Sequence, residues 1–158
     1  MDEKVESLAA VEGRIFLLLQ VRGKPFALPS EQVRAVTRVG RITRIPHTPR
    51  EVRGVANWRG RVITLYDLGE ALGLPGETLL TSYGVVLAPE DTDLDVAILA
   101  ERLREVRAIP ENLLQSLSPG DGLYDGIIEL DGKPVMVLDP TALLHRLAMA
   151  VFSPSSPA

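Results

Sequence analysis

The sequence predicts a mainly β protein made of two similar units, because the chain matches itself at an offset of about 70 residues. At an offset of 70, residues 26–36 match residues 96–106 in the order of apolar, acidic and basic positions. At an offset of 72, residues 54–67 match residues 126–139, including two glycines and the final aspartate. Independent hairpins would not share a nearly constant offset, so the two matches indicate a duplicated unit.

Each unit is predicted to consist mainly of short strands. Apolar runs such as 15–21 are bounded by turn-forming residues and have the length of buried strands. Arg59-Gly60 and Asp131-Gly132 lie between apolar runs, where glycine can adopt the positive φ of a tight hairpin. About five strands per unit, without room for crossover helices, indicate two pseudo-repeated SH3-like five-stranded β-barrel subdomains.

Short helices are expected after the two aspartates that the units share. Asp139 precedes Pro140, and a carboxylate N-cap followed by proline is a helix start signal. Asp67 occupies the matching position, and Glu70 three residues later completes a capping-box pattern. Apolar residues of 143–151 follow helical spacing, which predicts a C-terminal helix across a barrel.

These elements predict a single domain over residues 14–151. We expect the first barrel subdomain at 14–82, and the second, together with the C-terminal helix, at 83–151. Residues 1–13 and 152–158 are expected to be flexible ends, and the second of these is rich in serine and proline.

Charge is distributed unevenly along the chain. Residues 34–61 contain eight arginines and one acid, Glu51, so this segment carries +7. The whole chain carries −4, so the remainder carries −11. A small β-barrel nucleic-acid-binding module that uses the basic 34–61 segment is therefore an alternative function. Aromatic residues that could stack on bases are only 4% of the chain, which disfavours it.

The chain lacks the residue sets that catalysis or a metal site would require. It has no cysteine, and its histidines, His47 and His145, have no neighbouring ligand at metal spacing. The acids of 91–95 resemble the start of a calcium loop, but Val96 and Arg102 stand where glycine and glutamate are needed. We therefore expect a protein that is not an enzyme and uses no metal or cofactor.

The ends and apolar runs predict a cytoplasmic protein. The first residues are acidic and lack the apolar core of a secretory signal. No apolar run approaches the roughly 20 residues that span a bilayer. The absence of cysteine is compatible with a reducing compartment.

The two predicted hairpin turns differ in chemistry. Leu130 stands in the second unit where Trp58 stands in the first, so we expect the indole to cap a barrel core. Asp131 stands where Arg59 stands, so this arginine is not required by a fold common to both units. Its guanidinium is therefore a candidate contact for a partner.

Residues 54–68 contain a Gly-Val pair, an Asn-Trp-Arg-Gly turn and a strand that ends in Asp-Leu. This pattern resembles the signature of the CheW-like chemotaxis coupling protein family, with Trp58 in place of the usual leucine. Further segments in the order and spacing of that family are 26–29, 33–36, 45–49 and 126–139. The resemblance covers about residues 14 to 147.

The resemblance implies a non-enzymatic adaptor that couples chemoreceptors to a CheA-type histidine kinase in chemotaxis signal transduction. A groove between two SH3-like barrels would receive a methyl-accepting chemotaxis receptor, and the barrel surfaces would bind the kinase regulatory domain. No cofactor, nucleic acid or direct membrane insertion is implied. The implied location is the cytoplasm, at receptor arrays on the inner face of the membrane through these partners.

The resemblance also implies two sets of site residues. The receptor-binding residues would be Val33, Gly54, Asn57, Arg59, Gly60, Leu103 and Val106, and the kinase-binding residues would be Ala35, Val36 and Arg38. Ala35 departs from the family, which often carries glutamate there, although Glu105 holds the matching place in the second unit. This departure puts in doubt any kinase contact that requires an acid at that position.

Overall fold

The computed structural model describes residues 13–78, 83–88, 95–117 and 122–152. The strands are β1 (Arg14–Val21), β2 (Lys24–Pro29), β3 (Val33–Arg38), β4 (Val52–Trp58), β5 (Arg61–Tyr66), β6 (Tyr83–Leu87), β7 (Val96–Ala100), β8 (Arg102–Ile109), β9 (Leu114–Ser116), β10 (Tyr124–Leu130) and β11 (Lys133–Leu138). The helices are α1 (Leu68–Ala71) and α2 (Pro140–Phe152), and short 3-10 turns lie at Ser30–Gln32 and Glu111–Leu113. The predicted mainly β class, with short helices and a C-terminal helix, is confirmed.

The ends that we expected to be flexible lie outside the described residues, apart from two positions. Gly13 precedes β1, and Phe152 is the last residue of α2. No helix in the described part of the chain is long and apolar enough to cross a membrane.

The strands form two sheets whose orders correspond under the repeat. Sheet A has the order β8-β1-β2-β11-β10-β9, and sheet B has the order β3-β6-β7-β5-β4. The repeat makes β3, β6, β7, β5 and β4 equivalent to β8, β1, β2, β11 and β10. The first five strands of sheet A therefore follow the same order as sheet B, which confirms the predicted pseudo-repeat.

The parallel strand pairs agree with the repeat residue by residue. In sheet B, β5 runs parallel to β7 with Thr64 opposite Val96. In sheet A, β11 runs parallel to β2 with Met136 opposite Phe26. The offsets of 70 and 72 relate Phe26 to Val96 and Thr64 to Met136, so the two pairs are the same contact made twice.

The sixth strand of sheet A also has a counterpart. β9 pairs with β10, and Gln115 lies opposite Ile127. The equivalent residues of the first unit, Thr43 and Val55, form an isolated antiparallel bridge. Both units thus contain this strand contact, and it is longer in the second unit, where it forms the strand β9.

The predicted boundary between residues 82 and 83 does not separate the two sheets. Sheet B uses strands from the continuous segment 33–100, whereas sheet A uses strands from 14–29 and 102–138. The division into 14–82 and 83–151 therefore cuts both sheets. A sequence repeat shows that two halves are alike, but it does not show which copy of a strand each neighbour pairs with.

Buried apolar side chains form three clusters. One belongs to sheet B and contains Trp58, Ile63, Leu65, Val86, Ala97 and Leu99. Another belongs to sheet A and contains Phe16, Leu18, Ala27, Ile109, Ile128, Val135 and Val137. The third, called the junction cluster, joins side chains of both sheets and both helices. Trp58 is only 8% exposed and Leu130 packs against the sheet A cluster, so both close a barrel core as expected.

The two shared aspartates cap the helices as predicted. Asp67 accepts a hydrogen bond from the backbone N–H of Glu70, and Asp139 accepts one from the N–H of Ala142. The capping box at α1 is not completed, because the Glu70 carboxylate accepts from Arg22 at 3.1 Å. The N–H of Asp67 instead donates to the carbonyl of Glu51.

Candidate functional site

The β4–β5 turn presents Arg59 at its tip. Arg59 and Gly60 have φ of +52° and +78°, the two positive values that a type I′ hairpin requires. The Asn57 side-chain oxygen accepts a hydrogen bond from the Gly60 N–H at 3.1 Å. Asn57 and Gly60 therefore shape the turn, and the exposed side chain of Arg59 is the group they display.

The indole ring of Trp58 packs against the guanidinium of Arg59. The Arg59 guanidinium lies 5.0 Å from the centroid of the indole ring, which is a cation–π contact. The indole itself is buried in the sheet B cluster, so its position is fixed by packing. The guanidinium is thus held at a defined place while its edge can donate to a partner.

The apolar residues that we predicted to bind a receptor all contact the junction cluster. Val33 and Leu103 are half-buried and pack against this cluster, and Val106 is one of its buried members. Val33 lies on β3 and the other two lie on β8, which are equivalent strands at the ends of their sheet orders. The structure therefore brings these three residues to the region where the two sheets meet.

Gly54 is buried and offers no side chain to a partner. Its φ is +142°, and a Cβ at this position would approach the carbonyl oxygen of Thr43 to 2.4 Å. The glycine thus permits the close bridge between Thr43 and Val55. Its place in the site is to shape β4.

The predicted kinase residues occupy both sides of β3. Ala35 packs against the sheet B cluster, whereas Val36 packs against the junction cluster. Arg38 is exposed, and its guanidinium lies 5.5 Å from the centroid of the Tyr83 ring and donates to the Tyr83 hydroxyl at 3.4 Å. Strand directions in sheet B place Arg38 and the β4–β5 turn at opposite ends of the sheet.

An ion network that sequence analysis missed joins the two sheets. Arg22, in the β1–β2 turn of sheet A, donates to Asp67 at 3.4 Å and to Glu70 at 3.1 Å. It also donates to the Leu74 carbonyl at 2.7 Å and to the Thr78 hydroxyl at 3.2 Å. The Arg22 and Asp67 side chains are 3% and 0% exposed, so each charge depends on its partners.

Gly69 makes room for this network. A Cβ at Gly69 would lie 2.2 Å from the Arg22 Nε, so a larger residue on α1 would displace the guanidinium. Arg22-Gly23 has the same two positive φ values as Arg59-Gly60, and it reads in the sequence as an ordinary surface turn. The Arg-Gly dipeptide was the sequence signal that could have revealed this network. Nothing in the neighbouring residues shows that the arginine of Arg22-Gly23 is buried and that of Arg59-Gly60 is exposed.

Part of the basic segment is neutralised within the fold. Asp95 binds Arg34 at 3.3 Å and Arg61 at 2.8 Å, and Asp67 binds Arg53 at 3.4 Å. The segment therefore presents a smaller basic surface than its net charge of +7 indicates. The other acids of the rejected calcium loop, at 91 and 93, lie outside the described residues.

Comparison with known proteins identifies the family. The family model of the CheW-like domain matches residues 16–148, which is most of the chain. The chain belongs to the CheW-like domain family. The resemblance on which the sequence analysis relied is thereby confirmed.

Two chemotaxis proteins named CheW are similar to this CheW-like domain along most of their length. The protein of Bacillus subtilis (strain 168) is 24% identical over 139 residues, which cover 85% of this chain and 88% of the relative. The protein of Thermotoga maritima is 25% identical over 137 residues, which cover 84% of this chain and 89% of the relative.

The fold has a counterpart among solved structures. The crystal structure of the scaffolding protein TtCheW from Thermoanaerobacter tengcongensis matches with a TM-score of 0.72 and 21% identity. The match covers 80% of this chain and 89% of that protein. It shows that the two-sheet architecture is that of a CheW fold.

The titration behaviour of this CheW-like domain is perturbed at two tyrosines. Burial raises the pKa of Tyr66 to about 12, with Glu51 adding to the shift and Arg146 opposing it. Burial also raises the pKa of Tyr124. Within the part of the chain that the structure describes, no three His, Cys, Asp or Glu side chains are grouped to hold a metal ion.

Proposed function

We propose that this chain is a non-enzymatic adaptor that couples methyl-accepting chemotaxis receptors to a CheA-type histidine kinase. The observation that carries the proposal is the CheW-like match over residues 16–148. Two relatives of this length are chemotaxis proteins, and the similar structure is that of a scaffolding protein. The adaptor would act in the cytoplasm at receptor arrays, to which its partners hold it.

The proposed receptor surface combines the sheet junction with the β4–β5 turn. Val33 and Leu103 are half-buried at the junction, so a receptor helix that covered them would remove further apolar area from water. Strand directions put Val33 and Arg59 at the same end of sheet B. The guanidinium would then bond the same partner from the side, where its planar donors fit a carboxylate or a carbonyl.

The proposed kinase surface lies on β3 and is centred on Arg38. Ala35 and Val36 are half-buried, and Arg38 is held in place by the ring of Tyr83. Since this chain has alanine in place of the common glutamate, the charge on this surface is positive. We infer that the kinase of this pathway offers a neutral or acidic contact there.

The two surfaces can be tested by paired charge reversals. Arg59→Glu should reduce receptor capture in a pulldown by about tenfold or more and leave kinase capture unchanged. Arg38→Glu should do the reverse. Both side chains are exposed, so the free energy of unfolding should change by no more than about 1 kcal/mol in either variant.

Arg41→Glu is the matched control, because Arg41 is an exposed arginine of the same basic segment that belongs to neither set. It should leave both captures intact. Full receptor binding by the Arg59→Glu variant would remove this residue from the proposed surface. Loss of both partners in all three variants would show that overall charge, not a defined surface, governs binding.

A further inference from the structure

A cavity of about 460 Å³ lies beside the loop between β3 and β4. Its described lining includes three arginines, Arg44, Arg50 and Arg53, and one acid, Glu70. Ile45 and neighbouring prolines and valine supply apolar walls. None of the receptor or kinase residues named above lines this cavity, so the proposed function does not account for it.

The charges around the cavity leave it positive. Glu70 is already bonded to Arg22, and Arg53 donates to Asp67 at 3.4 Å. Arg44 and Arg50 are exposed and form no ion pair with any residue that the structure describes. Two arginines therefore line the same space without a counter-ion among the described residues, which favours an anionic occupant.

Internal hydrogen bonds and prolines restrict the loop that carries these arginines. The Thr48 hydroxyl donates to the Ile45 carbonyl at 2.8 Å, and the Val52 N–H donates to the Pro49 carbonyl at 3.0 Å. Pro46 and Pro49 also fix their own φ angles. These restraints lower the entropy that a ligand would lose by ordering the loop.

The cavity is lined by both charged and apolar side chains, and this combination indicates the class of ligand it can bind. Ile45 is 41% exposed at the cavity, and no phenylalanine, tyrosine or tryptophan is among the lining residues. Among the described lining residues only His47 carries a ring, so a nucleic acid would find one small ring on which to stack a base and no larger aromatic platform. A carboxylate matches the planar fork of arginine, and an adjacent apolar side chain matches the isoleucine.

We propose that this cavity binds an acidic segment of a partner protein, in which glutamate or aspartate alternates with an apolar residue. The carboxylates would bond Arg44 and Arg50, and the apolar side chain would cover Ile45. The site is separate from both surfaces of the proposed adaptor, so it holds a third contact whether or not the receptor and kinase assignments are correct.

Fluorescence anisotropy of the full chain, without receptor or kinase, tests the proposal. The probe is a short fluorescein-labelled peptide that alternates glutamate with leucine, and a glutamine-leucine peptide is the uncharged comparison. The acidic peptide should bind more tightly than the uncharged one, and binding should weaken with added salt. Arg44→Glu and Arg50→Glu should each weaken it by about tenfold or more, while Arg41→Glu should leave it within about twofold.

The possible contrary results are distinct. Equal weakening by Arg41→Glu would mean that the peptide follows net charge and not the cavity. Tighter binding of a labelled oligonucleotide, or full displacement of the peptide by inorganic phosphate at equal concentration, would replace the acidic segment with a phosphate ligand. Absence of peptide binding by the unmodified chain would overturn the proposal, and thermal melts of each variant exclude misfolding as the cause of a loss.

Discussion

Tyr66 is the residue at which burial has the clearest chemical consequence. Its side chain is 1% exposed, and its hydroxyl has no hydrogen-bond partner among the described residues. The low polarity around it disfavours the phenolate and raises the pKa to about 12, from an ordinary value of 10.0. The folded state therefore holds this proton over a pH range in which the unfolded chain has released it.

We predict that Tyr66 makes the folded state less stable above pH 10. Below that pH both states keep the proton, so the full stability is present. As pH rises from 10 towards 12 only the unfolded chain releases the proton, and stability falls by about 2 kcal/mol near pH 11.5. Tyr66→Phe should remove this share of the alkaline loss, measured by urea unfolding at pH 8 and pH 11.5, while the share of Tyr124, whose pKa burial also raises, should remain.

The half-exposed Tyr83 provides the control for this experiment. Tyr83→Phe should leave the alkaline loss in place. At pH 8, Tyr66→Phe should change stability by no more than about 1 kcal/mol, since the hydroxyl it removes makes no bond among the described residues. An alkaline loss of the same size in the Tyr66→Phe variant would show that another group titrates.

The two Arg-Gly turns show why the sequence pointed to Arg59 but not to Arg22. Arg59 is a candidate contact because the second unit has Asp131 at the matching place. Arg22 has no matching residue in the second unit that would suggest a role for it. Both turns have the same backbone form, but the Arg22 side chain is buried between sheets and Arg59 is exposed. Burial depends on Gly69, which is distant in sequence, so local pattern cannot supply it.

At the scale of the element, the paired glycines of β4 and β10 offer an internal comparison. Gly54 and Gly126 are equivalent, but only Gly54 has a positive φ, and its imagined Cβ lies closer to its neighbour, at 2.4 Å against 2.9 Å. We predict that Gly54→Ala destabilises the fold by about 3 kcal/mol and Gly126→Ala by about half as much. Urea unfolding of both variants measures the difference, and a larger loss in Gly126→Ala would contradict it.

Elements whose signals are local were predictable. The turn at Arg59-Gly60 and the caps at Asp67 and Asp139 depend on residues within three positions, and the structure has them as expected. The capping box at Glu70 failed because Arg22 competes for its carboxylate from the other sheet. Local rules thus hold until a distant charged group offers a stronger bond.

At the scale of the whole molecule, the sheets divide the chain differently from the repeat. The segment 30–101 contains all five strands of sheet B, whereas 14–82 lacks β6 and β7, which lie in the middle of that sheet. We predict that the isolated 30–101 fragment shows a β-sheet circular dichroism spectrum and a cooperative thermal transition, and that the 14–82 fragment shows neither. A cooperative transition in 14–82 would contradict the topology.

The repeat predicted the number and kind of strands but not their neighbours. Phe26 and Val96 are correctly matched as equivalent. On one side Phe26 pairs with Leu19 of its own unit, but on the other side it pairs with Met136 from the far end of the chain and not with the equivalent strand of its own unit, β5. Either pairing satisfies the same pattern of apolar residues, because the two copies are similar. The hydrophobic pattern of a strand therefore cannot tell which of the two copies becomes its neighbour.

The placement of sheet B as a continuous segment inside sheet A also orders events on the ribosome. Every strand of sheet B has been synthesised once residue 100 is made, whereas the β1–β2 hairpin has no flanking strands until β8 and β11 follow. The nascent chain therefore carries an open β1–β2 hairpin while the following segment, sheet B, can already fold. The β1–β2 hairpin thus leaves the ribosome before the strands of sheet B, yet it reaches its final neighbours after them.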